Sequence, residues 1–178
     1  MNRDGQQICT RQYPPGLFNV VVADFAVPTK AGTYRLVYDE DATGPANAFP
    51  ISTHNTTAWT FRSSAPPGAT TEPVPLLALD YALPLDAANH PTGTAATFTV
   101  RQPRGVAVQH ITSLAVWASV DSGRTWAPLP VSRAGSDRFT AQLPQPVAGQ
   151  SVSLRVDAAA AGGSAIDQTI IDAYHVPN

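Results

Sequence analysis

The chain has one cysteine, Cys9, among 178 residues, so no disulfide can form within it. That thiol sits in a polar N-terminal stretch with no histidine close by, which argues against a nucleophile and for an inert side chain. Charge is also scarce. Only 13% of the residues are charged, about half the usual share. The net charge is −2 and no basic block occurs, which argues against a nucleic-acid surface. No apolar run reaches the ~20 residues of a membrane span, so no membrane insertion is expected. Met1-Asn2-Arg3-Asp4-Gly5 is not followed by an apolar region, so no signal peptide is expected in this chain. Helical periodicity is missing as well. The stretch from Asp157 through Ala158–Ala161 to Gly162 and Gly163 is the nearest approach to a helix; it is too short, ends in two glycines, and reads as a loop between strands.

What is abundant is punctuation. Seventeen prolines and twelve glycines separate short runs of period-two alternation, the mark of half-buried strands. Tyr34, Leu36 and Tyr38 alternate in this way. So do Leu77, Leu79, Tyr81 and Leu83; Phe98 and Val100; Leu114, Val116, Ala118 and Val120; Phe139, Ala141 and Leu143; and Val152, Leu154 and Val156. Residues 18–25 and 166–176 are further strand candidates. A Ser/Pro/Gly-rich stretch at 63–73 looks like a linker. It divides a partial β segment, 1–72, from 73–178, where about seven strands fit the size of an immunoglobulin- or fibronectin type III-like β-sandwich. The expected fold class is therefore all-β: a sandwich preceded by additional strands. The first segment is too small to close a core and must pack on something else.

The sharpest local signal is Ser119-Val120-Asp121-Ser122-Gly123-Arg124-Thr125-Trp126, the pattern S-x-D-x-G-x-T-W. Asp121 can accept backbone N–H groups across a tight turn, Gly123 supplies the backbone freedom, and Trp126 begins the return strand and is expected in the hairpin core. The pattern resembles the Asp boxes of sialidase-type propellers and of assorted secreted β domains, where it is a folding device remote from catalysis. Ser119, Asp121, Gly123, Thr125 and Trp126 are thus expected to be structural. The motif does not recur, which disfavours a propeller.

A longer resemblance is carried by Thr33-Tyr34-Arg35-Leu36-Val37-Tyr38-Asp39, by Thr57-Ala58-Trp59-Thr60-Phe61-Arg62-Ser63, by Pro75-Leu76-Leu77 with Tyr81 and Pro84-Leu85-Asp86, and by Val152–Val156 with Asp167–Tyr174. In this order, over about residues 30 to 176, they resemble the C-terminal region of large secreted actinobacterial subtilisin-like serine peptidases. The segments that carry that family's catalytic Asp, His and Ser are absent, so no catalytic residue transfers. What the resemblance implies is an extracellular, non-catalytic β-rich appendage of a larger secreted protein. It would stabilise a subtilisin-like peptidase domain or position it on a substrate or cell surface.

The remaining candidates are weaker. His54, His90, His110 and His175 show no metal-ligand spacing, and a Ser/His/Asp assembly using His54 and Asp80 has nothing in the sequence to fix it. Asp39-Glu40-Asp41 offers oxygen ligands for calcium but lacks a recognised spacing, so a solvated acidic turn is expected. Asn55-Thr56-Thr57 matches a glycosylation acceptor. Trp117 alternates against the aliphatic stripe from Leu114 to Val120, so it faces away from the core; it is expected at an interface, with residues 1–72 as its cover. A monomer without cofactor or metal is expected. The alternative function is a stand-alone carbohydrate- or cell-surface-binding sandwich.

Overall fold

The computed structural model describes residues 1–11, 27–44, 51–66, 68 and 72–177; the strand expected at 18–25 lies outside the described residues. Twelve strands and no helix occur among the described residues: β1 (Asn2–Arg3), β2 (Gln6–Gln7), β3 (Gly32–Asp41), β4 (His54–Ser63), β5 (Ala78–Ala82), β6 (Ala95–Arg101), β7 (Ile111–Ser119), β8 (Ala127–Leu129), β9 (Val131–Arg133), β10 (Arg138–Gln142), β11 (Ser151–Ala160) and β12 (Ala165–His175). They form two antiparallel sheets packed as a β-sandwich. The large sheet has the order β2-β1-β3-β4-β12-β11-β7-β8 and the small one β5-β6-β10-β9.

The alternating residues face each other across the layers. Phe98, Val100, Phe139 and Ala141 from the small sheet meet Val116, Val152, Leu154 and Val156 from the large one in a single buried cluster. Tyr81 meets Phe98 edge-to-face at 5.5 Å. Its hydroxyl donates to Gln168 Oε1 at 2.7 Å, and Gln168 Nε2 donates to Thr57 Oγ1 at 2.8 Å, so the polar groups at the margin of this core are paired. Burial pushes the Tyr81 phenol far above its ordinary range. Pro130, between β8 and β9, marks the point where the chain leaves the large sheet for the small one; a residue without an N–H suits such a switch.

Within the segment 1–72, β3 and β4 join the rest at the edge of the large sheet. β4 pairs with β12 from Thr60↔Ala165 to His54↔Ile171, and β3 pairs with the other side of β4. Tyr34 and Phe61 stack with ring centroids 5.6 Å apart, both buried on the inner side of this extension, and Trp59 Nε1 donates to Leu77 O at 2.8 Å. Against the expectation that residues 1–72 lie over Trp117, strands β3 and β4 do not cover it. Among the described residues they lengthen the sheet, and β12 and β11 separate β4 from β7, which carries Trp117. An open strand edge with a row of unpaired N–H and C=O groups is satisfied by another strand, not by a layer.

Two further expectations change. Asp157 to Ala160 are strand, not loop: β11 continues to Ala160, with Ala158 and Ala160 buried, and only the short Ala161–Ser164 stretch connects to β12. Pairing on both sides, with β7 and β12, overrides the local preference of an alanine run. Val120, expected on the core stripe, is 41% exposed because β7 ends at Ser119.

Candidate functional site on the outer face of the large sheet

The residues around Ser119 explain the local turn. Ser119 Oγ lies 2.6 Å from Asp121 Oδ1 and accepts the Gly123 N–H at 2.9 Å. Asp121 Oδ1 accepts the Thr125 N–H at 2.8 Å, and Oδ2 accepts the Thr125 hydroxyl at 2.6 Å. Ser122 and Gly123 are both left-handed, with φ of 53° and 81°. A Cβ on Gly123 would lie 2.7 Å from Ile171 Cδ1, so glycine is required here twice over. Trp126 is not in the sandwich core. It is half-buried at the outer face, with the Arg155 guanidinium 4.4 Å from its ring centroid. β8 starts one residue later and turns Ala127, not Trp126, to the side of Ala118.

The turn is tied to the sheet through Asp172, whose φ is 53°. Its carboxylate accepts from Ser122 Oγ at 2.9 Å and from Thr53 Oγ1 at 3.2 Å, while its N–H donates to the buried Ser153 Oγ at 2.9 Å. Three stretches of chain thus converge where the β11–β12 register shifts between Val152 and Leu154. Nothing in the period-two pattern marked Asp172.

The hydrogen bonds from Ser119 and then from the Thr125 hydroxyl and N–H hold the Asp121 carboxyl down at about 2. A carboxyl lowered by folding stabilises the native state above its ordinary value of 3.8, and that contribution is lost as pH falls through about 2. Asp121→Ala is therefore expected to lower Tm at pH 7 by on the order of 3–8 °C. The gap to the parent should narrow between pH 4 and 2, as followed by circular dichroism. A constant gap down to pH 2 would contradict the assignment.

Next to this turn, the outer face of the large sheet carries a polar and aromatic band. Alternation places Trp117 on β7, Arg155 and Asp157 on β11, Asp167 and Thr169 on β12, and Arg35 on β3 on this side. Registers align Trp117 with Arg155 and Thr169, and Asp157 with Asp167. Arg35 Nη1 bonds Asp167 Oδ2 at 2.9 Å, and Arg155 Nε reaches Thr169 Oγ1 at 3.4 Å. Asp157 is half-buried and accepts no side-chain hydrogen bond from any described residue. Burial, and then the facing Asp167, raise its carboxyl above the ordinary range against the pull of Arg155 and Arg35. Like charges directly opposite across a strand pair are destabilising, so this is an arrangement that folding alone does not favour.

The other candidates are satisfied within the protein. Both Asp39 carboxylate oxygens lie 3.1 Å from His54 Nε2, and Thr56 Oγ1 donates to Asp39 at 2.8 Å. Asp41 accepts from the N–H and hydroxyl of Thr43. The hydrogen bonds from His54 and Thr56 lower the Asp39 carboxyl, and those from Thr43 lower that of Asp41. Among the described residues no group of three or more His, Cys, Asp or Glu is placed to hold a metal ion. His54 and Asp80 are not brought together, since Asp80 pairs with Arg101 across the small sheet. Asn55 sits between two paired strands and donates to Ser52 O at 3.3 Å, an unsuitable setting for glycan transfer in the folded state.

No family model matches the chain, and no curated protein or solved structure matches it. The outer face therefore has to be read from its own chemistry. It brings Trp117, Trp126, Arg155, Asp157, Asp167 and Arg35 to one side of the sheet, with Asp39 in the cross-strand row of Thr56, Thr169 and Arg155.

Proposed function

We propose that this chain is a non-catalytic β-sandwich module of a larger extracellular protein, an accessory domain like the C-terminal region of secreted subtilisin-like peptidases, which positions the peptidase on its substrate or on a surface. The resemblance over residues 30–176 supports the peptidase association. The strand orders β5-β6-β10-β9 and β12-β11-β7-β8 support an immunoglobulin-like type, because they match the two sheets of that sandwich with an added edge strand. The observation that carries the binding role is the outer band around Trp117 and Arg155, where the half-buried Asp157 faces Asp167. The same band favours the second reading, a carbohydrate- or cell-surface-binding module that works on its own.

The reading is tested with an antiserum raised against the purified chain and a fluorophosphonate probe. In the culture medium of the producing cells, the antiserum is expected to detect a polypeptide larger than 18.7 kDa that the probe labels, while the isolated chain stays unlabelled. A product of 18.7 kDa confined to the cells, or labelling of the chain itself, would overturn it.

A further inference from the structure

The two sheets differ in width. The small sheet ends at β5, whose surroundings reach β12 and β4 through the Tyr81–Gln168 bond and the Trp59–Leu77 O bond. The inner side of β3 and its partner residues on β4 extend past that edge. Between them and the stretch at Val74–Leu76 lies a cavity of about 260 Å³. Among the described residues its walls include Tyr34, Leu36, Phe61 and Ser63 from the strands and Val74 and Leu76 from the covering stretch, and no charged side chain. Tyr34 is 1% exposed, and its hydroxyl has no hydrogen-bond partner. The ring is held by Phe61, stacked at 5.6 Å, and by the Arg3 guanidinium, 5.8 Å from its centroid. A buried phenol left unpaired costs free energy, and an apolar void forfeits the contacts of its lining. Water is a poor occupant, because a buried water makes about three hydrogen bonds and the side chains here offer only the Tyr34 and Ser63 hydroxyls.

We propose that this cavity is a binding site for a small neutral apolar molecule carrying one acceptor oxygen, a ketone or an ester, with the Tyr34 phenol as the donor to that oxygen. The lining sets the class of ligand. It holds no charge to pair with an ion and too few polar groups to serve a sugar. The volume sets the size. An apolar cavity of about 150 Å³ takes up benzene, so 260 Å³ suits a bicyclic aromatic or an acyl chain of similar bulk. Leu36, Val74 and Leu76 are each only half-buried, so the cavity reaches the surface and a ligand can enter without unfolding the sheet. The site lies on the opposite side of β3 from Arg35 and the outer band, as strand alternation requires. It goes beyond the accessory-module reading and does not depend on it.

The test titrates the full chain with 2-acetylnaphthalene and with naphthalene, which has the same rings and no oxygen, by calorimetry and by thermal shift. The parent is expected to bind 2-acetylnaphthalene saturably, with Kd on the order of 100 µM or below, and to prefer it to naphthalene by about three- to tenfold. Tyr34→Phe keeps the ring and removes the hydroxyl. It should bind both compounds equally and, without ligand, hold or gain thermal stability, because it removes an unpaired buried group. Leu36→Trp fills part of the cavity and should weaken both compounds about tenfold or more, with circular dichroism confirming that each variant is folded. No saturable binding of either compound up to its solubility limit overturns the proposal and leaves the cavity a packing defect. A preference for 2-acetylnaphthalene that survives in Tyr34→Phe overturns it as well, as does binding that a folded Leu36→Trp leaves unchanged. Each of these failures leaves the peptidase association intact, since that depends on the labelled larger polypeptide.

Discussion

Removing residues 1–72 is expected to make the protein aggregate. The deletion strips β4 from β12 and leaves the N–H and C=O groups from Ala165 to Ile171 without partners along an exposed edge, a template for pairing with other chains. It also removes Trp59, which packs against the core and bonds Leu77 O. Truncating a buried tryptophan costs roughly 3–5 kcal/mol, and a half-buried one falls towards the lower end. Trp117 should be indifferent to the loss of β3 and β4 themselves, because β11 and β12 stand between it and those strands. Size-exclusion chromatography and thioflavin binding report the aggregation, and the emission of Trp117 in a variant lacking the other tryptophans reports its surroundings. A truncated chain that stays monomeric at the parent's melting temperature would show that β3 and β4 contribute nothing to the sandwich.

Phe98→Ala should have the largest effect of any single substitution. Phe98 is 0% exposed, stands opposite Tyr81 on one side and Phe139 on the other, and packs at the centre of the buried cluster. Its removal leaves a cavity that the two flanking strands cannot collapse without breaking their ladders. The expected cost is about 3–5 kcal/mol, which in a domain of this size lowers Tm by roughly 6–20 °C. Phe98→Leu keeps most of the volume and should cost about 1.5 kcal/mol or less. Thermal melts followed by circular dichroism separate the two. A loss below about 2 °C in the alanine variant would place the core elsewhere.

Much of the architecture was legible because it is local. The alternation of Tyr34, Leu36 and Tyr38, or of Val152, Leu154 and Val156, specifies a strand and its buried side without knowledge of any neighbour. The Ser119–Trp126 turn is equally local, since Ser119, Asp121 and Thr125 satisfy one another within seven residues. The alanines at 158–160 do not read as strand for the converse reason. Alanine carries little strand preference of its own, and only pairing with Ser113, Leu114 and Ala165 makes it a strand. Trp126 packs on Gly123 of its own turn, whereas its place beside Arg155 depends on strand pairing.

The candidate site was the least legible part. Arg155, Asp157, Asp167 and Thr169 look like the ordinary solvent side of two strands, and Asp172 like any loop acid. Only the register that sets Asp157 against Asp167 and Arg155 beside Trp117 turns them into one surface. By itself the sequence determined an all-β chain, its strands and their buried faces, and one self-contained turn, because each depends on side chains a few residues apart. The tertiary structure alone decided that β3 and β4 extend a sheet instead of covering it, and which polar side chains meet on its outer face. Those outcomes depend on hydrogen-bond pairing between segments up to 132 residues apart, such as Arg35 and Asp167, and no local pattern encodes that pairing.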